Sequence, residues 1–349
     1  MKAARRVATA AGLTAIGAAA WEVQRRRDRR AVESDPEWAE LLRQPTGATT
    51  RQVRAFDGTL LHVEIYGDAS APAIVLAHGW TESIDLWHNQ IRDLSRDFRI
   101  IAYDQRGHGR SDVPADPSSY TERSLADDLQ AVIDACLTPN EPFAAAGHSM
   151  GGISVVAWAG TRTLEVARRL VGAALINTGV SELAGHMLVL GPWAGARVHK
   201  TAVASPLQRF DRGLPKGLTP LSYRVVRRIT MGDRATPGQV AFVHRMIVDC
   251  PGPVRAGFGR MFPTMDLRDA LAKLTAPTLV VAGERDRLLP PWHAQQIVDL
   301  LPNVVEYLEV PGAGHMTPIE AADEVTPRLA ALARTPVAAE PRAPVAAPA

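Results

Sequence analysis

The 349-residue chain has little of several features that mark specialised classes of protein. Its two cysteines are too few for a disulfide scaffold, and a buried thiol is the simplest interpretation of Cys136 and Cys250. The 39 basic residues are nearly balanced by 37 acidic ones, so no strong field selects nucleic acid as a partner. With 46% hydrophobic and 22% charged residues, the composition also excludes a disordered chain, a collagen-like fibre and a multi-spanning membrane protein.

The sequence also lacks the common cofactor motifs. It contains no H-E-x-x-H pattern, no C-x-x-C pair and no acidic cluster that would suggest a metal site. No G-x-G-x-x-G follows a strand-like run, which argues against a dinucleotide site. We therefore expect neither a metal nor an organic cofactor.

Charge is distributed unevenly along the chain. Residues 1–30 hold eight basic and two acidic residues, so this segment carries +6 and the remainder −4. Between its two basic clusters, residues 7–21 are rich in Ala and Gly and fall short of the roughly 20 apolar residues of a spanning helix. Three interpretations stay open: a tether to a membrane surface, a cytosolic extension without a role, or a secretory signal cleaved near residues 18–20. Because the following arginines argue against export, we expect a protein that is cytoplasmic or tethered through residues 1–30.

Strand-like and helix-like segments alternate through the middle of the chain. Asp57-Gly58 predicts a hairpin turn. A helical pattern at 124–137 has one apolar face, and Ser124 is its expected N-cap. This alternation predicts an α/β fold with a doubly wound, mostly parallel sheet. Apolar runs suited to buried parallel strands lie at 73–77, 99–103, 143–146, 171–176, 278–282 and 304–308.

Residues 180–265 break this alternation with helix-like stretches and no convincing strand. We therefore predict a helical cap at 180–265, inserted into a core formed by 50–179 and 266–334. Five of the eight methionines lie in the cap, which suits either an acyl-binding lining or ordinary packing of the cap on the core. Residues 335–349 are nearly all Ala, Pro and Val without a periodic apolar face, which predicts a disordered tail.

The most informative motif is the G-x-S-x-G pentapeptide at 147–151, centred on Ser149. An apolar run precedes it and a helical pattern follows, which is the context of a nucleophile elbow. Such an elbow is a strained turn, and Gly147 and Gly151 allow neighbouring backbone to approach without a Cβ clash. The pattern predicts Ser149 as a nucleophile presented at the edge of the sheet.

A serine nucleophile needs a histidine base that a carboxylate orients. In this architecture both follow later strands in the order Ser, Asp, His. Asp286 follows the apolar run at 278–282, and His315 follows two glycines after the last strand-like run. Glu284 is the alternative carboxylate but lies closer to the strand end. His148 adjoins Ser149, but its place in the elbow directs it away from the role of base.

An oxyanion hole needs two backbone N–H donors near the serine. Met150, the residue after the nucleophile, supplies one of them. The other is expected from Trp80, because the strand-like run at 73–77 leads directly into His78-Gly79-Trp80. Each donor typically stabilises the transition state by about 3 kcal/mol.

The chain resembles the α/β-hydrolase superfamily over roughly residues 50–335, in its capped, esterase- and haloperoxidase-like group. The residues that carry the resemblance are His78-Gly79-Trp80, the segment 103–111, the 147–151 elbow, Asp286 and His315. In relatives the segment matching 104–111 is a structural loop, so no catalytic role is expected there. Dehalogenases and epoxide hydrolases of the superfamily have an aspartate nucleophile, so Ser149 argues against both activities. The cap also holds only Tyr223 where epoxide opening uses a tyrosine pair.

Together these features predict a serine hydrolase that cleaves carboxylic esters of small or apolar acyl groups through an acyl-enzyme. The expected partner is a small-molecule ester, nucleic acid is not expected, and the oligomeric state is open. Carbon–carbon bond hydrolysis, cofactor-free perhydrolysis and acyl transfer use the same triad and remain alternatives. Outside enzymes, the alternative is a non-catalytic ligand-binding protein on this fold, against which an intact triad argues.

Overall fold

The computed structural model describes the backbone of residues 2–183 and 211–336, and the side chains of residues 18–183 and 211–336. It confirms the predicted α/β fold, in which helices flank a single eight-stranded sheet. The strands are β1 (Thr49–Arg54), β2 (Leu60–Tyr66), β3 (Ala73–Ala77), β4 (Arg99–Tyr103), β5 (Phe143–His148), β6 (Leu170–Ile176), β7 (Thr278–Gly283) and β8 (Val304–Val310).

The spatial order of the strands is β1-β2-β4-β3-β5-β6-β7-β8. β1 and β2 form the antiparallel hairpin predicted at Asp57-Gly58, and β2 also pairs antiparallel with β4. All other neighbours are parallel. The carboxyl ends of β3, β5, β6, β7 and β8 therefore meet at one edge of the sheet, where ligands of open α/β sheets bind.

Helices cover both faces of the sheet, and each face has its own apolar core. The helices of the described ranges are α1 (Lys2–Glu33), α2 (Pro36–Leu42), α3 (His88–Leu94), α4 (Glu122–Cys136), α5 (Met150–Thr161), α6 (Thr163–Arg169), α7 (Pro220–Thr230), α8 (Pro237–Asp249), α9 (Gly252–Met261), α10 (Arg268–Leu271), α11 (Trp292–Leu300), α12 (Thr317–Glu320) and α13 (Ala322–Ala333). Short 3₁₀ helices lie at Ile84–Trp87 and Pro117–Ser119.

Burial on both faces of the sheet explains why the sequence predicts the central strands. Every residue of β3, β5, β6 and β7 is buried, because both faces of these strands lie under helices. β8 is an edge strand and is largely open to solvent. The observed bounds of β3 and β4 are those of the runs predicted at 73–77 and 99–103.

One helix start was predicted wrongly. α4 begins at Glu122, and its N-cap is Thr121, whose hydroxyl accepts the backbone N–H of Ser124. Ser124 is buried in the first turn rather than capping it. Both residues are good cap formers three positions apart, so the local sequence did not distinguish them. The predicted apolar face is confirmed, since Leu125 and Leu129 are fully buried.

The described part of the predicted cap consists of α7, α8 and α9. Residues 184–210 of the cap, and 337–349 of the predicted tail, lie outside the described residues, and the domain boundaries stay a prediction. α1 packs against α7 and α8. Within the described ranges, no helix is both long enough and apolar enough to cross a membrane.

The contact between α5 and β3 leaves no room for a side chain at Gly151. A Cβ at this position would lie 1.9 Å from the carbonyl oxygen of Ala77. We expect Gly151→Ala to lower the free energy of unfolding by about 3 kcal/mol, because β3 or α5 must move. Gly217→Ala is the matched control, since no heavy atom of the described residues lies within 4 Å of its Cβ. Urea unfolding curves measure both variants, and equal losses of stability would contradict the prediction.

Candidate active site

Ser149 occupies the tight turn between β5 and α5. Its backbone lies at φ 51° and ψ −114°, a strained conformation for a residue other than glycine. The turn is held by hydrogen bonds: the N–H of Ser149 donates to Ile176 at 2.9 Å, and its carbonyl accepts the hydroxyl of Thr178. The side chain is partly exposed at the carboxyl edge of the sheet, beside the N-terminus of α5. The geometry is that of the strand–turn–helix context predicted for 147–151.

The structure brings His315 and Asp286 together at the same edge. His315 Nδ1 lies 2.7 Å from Asp286 Oδ2, and both side chains are buried. Burial alone would lower the pKa of His315, but the charge and hydrogen bond of Asp286, with the charges of Glu82 and Glu320, raise it above its usual value. The ring of His315 lies 4.9 Å from that of His148, the residue before Ser149. The His315–Asp286 pair is therefore adjacent to the serine turn.

The two candidate carboxylates after β7 have different partners. Asp286 faces His315, and its other oxygen accepts the backbone N–H groups of Leu288 and Leu289 at 2.9 Å each. Glu284 is exposed and instead accepts the N–H of Gly312 at 2.8 Å. Among the described residues, Asp286 is therefore the one of the two carboxylates that contacts the histidine.

Asn177, which was not among the predicted site residues, directly follows β6 and supports Asp286. Its side-chain amide donates to Asp286 Oδ2 at 2.9 Å and to the carbonyl of Gly314 at 3.2 Å. Its amide oxygen accepts the hydroxyl of Thr317. A polar residue directly after a buried parallel strand was the available signal. Asn177 thus links Asp286 to the loop that carries His315.

A second overlooked residue, Glu320, holds the loop around His315. It accepts the N–H of Gly314 at 3.0 Å and that of Met316 at 3.2 Å, on either side of the histidine. Its other oxygen accepts the N–H of Gly232, just after α7, at 2.7 Å. His315 itself donates its backbone N–H to the carbonyl of Thr230, the last residue of α7, at 2.8 Å. The loop that carries His315 is thus hydrogen-bonded directly to two residues of the predicted cap.

A third overlooked residue, Glu82, links the loop after β3 to the elbow. Its Oε2 accepts the backbone N–H of Gly79 at 2.5 Å and lies 3.0 Å from His148 Nδ1. His148 Nε2 in turn lies 2.8 Å from the backbone oxygen of His315. Burial would raise the pKa of Glu82, but the charges of the surrounding histidines, His148 foremost, lower it. Both ring nitrogens of His148 are engaged, in keeping with a structural place for this histidine.

The two backbone N–H groups predicted to form an oxyanion hole belong to Met150 and Trp80. Met150 is the first residue of α5, and Trp80 follows Gly79 in the loop after β3. In the described part of the chain, neither N–H has a hydrogen-bond acceptor. The Trp80 ring packs edge-on against Phe262 of the cap, with 5.4 Å between ring centroids. Both donors are therefore available to a ligand.

The Glu82 contacts support a prediction about pH dependence. Removing its charge lowers the pKa of His315, so the acidic limb of the rate–pH profile should shift to lower pH in Glu82→Gln. We expect kcat to fall about tenfold as well, because a neutral amide oxygen accepts the N–H of Gly79 more weakly than a carboxylate and holds the loop carrying Trp80 less firmly. Glu122→Gln, which removes a half-buried carboxylate on α4 without a described ion pair, is the control. An unshifted acidic limb in Glu82→Gln would show that Glu82 has no electrostatic effect on His315.

Most methionines and aromatic residues of the predicted cap that the structure describes are buried in the two cores. These are Met231, Met246, Met261, Met265, Phe242, Phe258 and Phe262, whereas Tyr223 is half-buried. Met187, Trp193 and Phe210 lie outside the described residues. Within the described ranges, no group of three His, Cys, Asp or Glu side chains is arranged to hold a metal ion.

Comparison with known proteins agrees with this architecture. The alpha/beta hydrolase fold family matches residues 72–322 of the chain. A putative carbamate hydrolase, RutD of Variovorax paradoxus, is 29% identical over 258 residues, which cover 73% of this chain and 89% of RutD. EphD of Mycobacterium tuberculosis, a probable oxidoreductase by name, is 27% identical over 288 residues, which cover 78% of this chain and 48% of EphD. The chain thus spans about half the length of that relative. Among solved structures, an enol-lactonase from Burkholderia xenovorans superposes with a TM-score of 0.62 at 25% identity, covering 81% of this chain and 99% of the lactonase.

Proposed function

The chain belongs to the α/β-hydrolase family, and from this premise we propose that it is a serine hydrolase that cleaves carboxylic esters through an acyl-enzyme. One observation carries the proposal. A serine in a strained turn, at φ 51°, shares the carboxyl edge of the sheet with a buried His315–Asp286 pair joined at 2.7 Å. Structural turns seldom retain such strain, whereas nucleophile elbows require it.

In the proposed reaction, Ser149 Oγ attacks the ester carbonyl and passes its proton to His315. Because Nδ1 of His315 is held by Asp286, Nε2 is the nitrogen that receives the proton and then returns it to the leaving alcohol. The backbone N–H groups of Trp80 and Met150 stabilise the negative charge that develops on the carbonyl oxygen. Water then attacks the acyl-enzyme in the same way and releases the acid.

The relatives support acyl chemistry rather than a particular substrate. Two of the similar proteins are named for a carbamate and for an enol-lactone, respectively. Both of these compounds contain a carbonyl that a serine can attack. We propose a small-molecule ester or lactone with a small or apolar acyl group. The Trp80–Phe262 contact supports an apolar acyl pocket beside the oxyanion donors. Contact with a membrane surface through residues 1–30 belongs to the same proposal, and the arginine-rich composition of this segment supports it.

The proposal is tested with a fluorophosphonate probe and a series of p-nitrophenyl esters of graded chain length. We expect covalent labelling of Ser149, located by peptide mapping, and turnover that is highest for short or medium acyl chains. Product analysis in water, peroxide and alcohol separates hydrolysis from perhydrolysis and acyl transfer. Labelling of a different serine, or the absence of both labelling and turnover, would reject the serine-hydrolase assignment.

A further inference from the structure

A cleft beside helix α7 has four arginines among the nine described residues that line it. Its volume is about 560 Å³, and its cationic lining consists of Arg224, Arg227 and Arg228 of α7 with Arg287 from the loop after β7. Of the nine described residues that line it, only Asp233 is acidic, and that carboxylate lies 3.3 Å from the guanidinium of Arg285. The lining therefore carries an excess of positive charge.

Backbone carbonyls, rather than carboxylates, hold these arginines in place. Arg287 donates to the carbonyls of Arg228 at 3.0 Å and Met231 at 3.3 Å, and Arg224 and Arg227 likewise donate to carbonyl oxygens. Across the described residues, no carboxylate oxygen lies within 4.0 Å of the four guanidinium groups that line the cleft. Burial, together with the charge of Arg228, lowers the pKa of Arg287. Among the described residues, four guanidinium groups thus line the cleft beside a single carboxylate, that of Asp233.

The same helix exposes aliphatic side chains beside the arginines. Leu221 is 62% exposed and Val225 is 42% exposed, so two neighbouring aliphatic side chains of this helix are open to water. Leu221 and Val225 are four residues apart, as are Arg224 and Arg228, so all four side chains share one face of α7. A face that combines exposed aliphatic groups with cations is typical of helices that lie on anionic membranes.

Helix α1, which packs against α7, likewise combines exposed apolar side chains with basic residues. It exposes Trp21 and Val23, with exposures of 45% and 51%. The same part of α1 holds five arginines in six positions, residues 25–30. Exposed tryptophan beside basic residues is common where proteins meet lipid headgroups.

We propose that this face of α7, formed by Leu221, Arg224, Val225, Arg228 and Arg287, docks on the surface of a membrane that contains anionic phospholipid. Lipid phosphates occupy the arginine cleft, and the two aliphatic side chains enter the interface. A free phosphate ion would satisfy the arginines but leave the aliphatic groups in water. The backbone N–H of His315 donates to the carbonyl of Thr230, the last residue of α7. The helix that carries the docked face therefore contacts the candidate active site directly.

The test compares two charge-matched double variants of the full chain. Arg224→Gln/Arg228→Gln removes two positive charges from the α7 face, and Arg54→Gln/Arg168→Gln removes two exposed arginines elsewhere. Sedimentation with vesicles of phosphatidylcholine, alone or mixed with phosphatidylglycerol, measures the partition coefficient. Each arginine near an anionic surface strengthens binding about fivefold, so we expect a loss of about 25-fold in the first variant and much less in the second.

A second variant separates lipid docking from binding of a soluble anion. Leu221→Gln/Val225→Gln keeps all the charge, and we expect it to weaken the binding to mixed vesicles that remains at high salt. Inorganic phosphate should compete with the vesicles no better than sodium chloride of equal ionic strength. The proposal is overturned if the full chain does not prefer anionic vesicles, if both arginine variants bind alike, or if inorganic phosphate displaces the vesicles selectively.

Discussion

Replacement of Ser149 by alanine is expected to lower kcat for ester hydrolysis by about 10⁵- to 10⁶-fold and to abolish labelling by a fluorophosphonate. The loss is this large because the attacking oxygen disappears, and His315 has no other positioned nucleophile to activate. The backbone N–H groups of Trp80 and Met150, the candidate oxyanion donors, remain, so residual turnover above the uncatalysed rate measures their share of the catalysis together with that of substrate binding.

The variant should fold normally, which makes the loss interpretable. Alanine tolerates the positive φ of the turn about as poorly as serine does, so the strain at this position is unchanged. Ser154→Ala is the control, since Ser154 lies on α5 and bonds to Gln105 rather than to the candidate triad. Ester turnover within a few-fold of the parent protein in Ser149→Ala would remove Ser149 from the reaction and with it the proposed acyl-enzyme.

Asp286→Asn is expected to lower kcat by about 10⁴-fold while leaving the fold intact. The asparagine keeps the shape of the side chain but cannot stabilise the imidazolium that forms on His315, and it favours the wrong tautomer. The pKa of His315, which Asp286 raises, should fall in the variant. Because the histidine must be neutral to act as a base, the acidic limb of the rate–pH profile should then move to lower pH.

Glu284→Gln is the matched control for this prediction. It removes the same charge two residues away, from an exposed side chain that bonds to the N–H of Gly312. We expect nearly unchanged kcat and an unshifted pH profile, and circular dichroism confirms that both variants are folded. A large loss in Glu284→Gln with little loss in Asp286→Asn would assign the acid to Glu284.

Much of the sheet was predictable from local patterns. A strand buried on both faces is a continuous run of apolar residues, and this is why the runs at 73–77 and 99–103 have the bounds of β3 and β4. The elbow at Ser149 was equally predictable. A serine with a glycine two residues away on each side, between a strand and a helix, is compatible with few local structures other than a nucleophile elbow. Each of these patterns is contained within about a dozen consecutive residues, so it can be recognised without knowledge of any long-range contact.

Local patterns were weaker where two neighbouring residues have similar chemistry. Thr121 and Ser124 can each cap a helix, and the structure selects Thr121. Glu284 and Asp286 both follow β7, and the order of residues alone left them as alternatives. The structure distinguishes these two carboxylates by their partners, since the side chain of Asp286 turns toward His315.

The sequence by itself determined the fold class, the order of the strands along the chain and the residue types of the candidate triad. Only the tertiary structure decided which distant side chains support that triad. Glu82 meets His148, 66 residues away, and Asn177 meets Asp286, 109 residues away, because parallel strands bring their carboxyl ends to one edge of the sheet. The contact of Glu320 with Gly232 of the cap likewise depends on packing between segments 88 residues apart. Such contacts leave no periodic trace in the sequence, since each is a single polar residue whose partner is chosen by the fold.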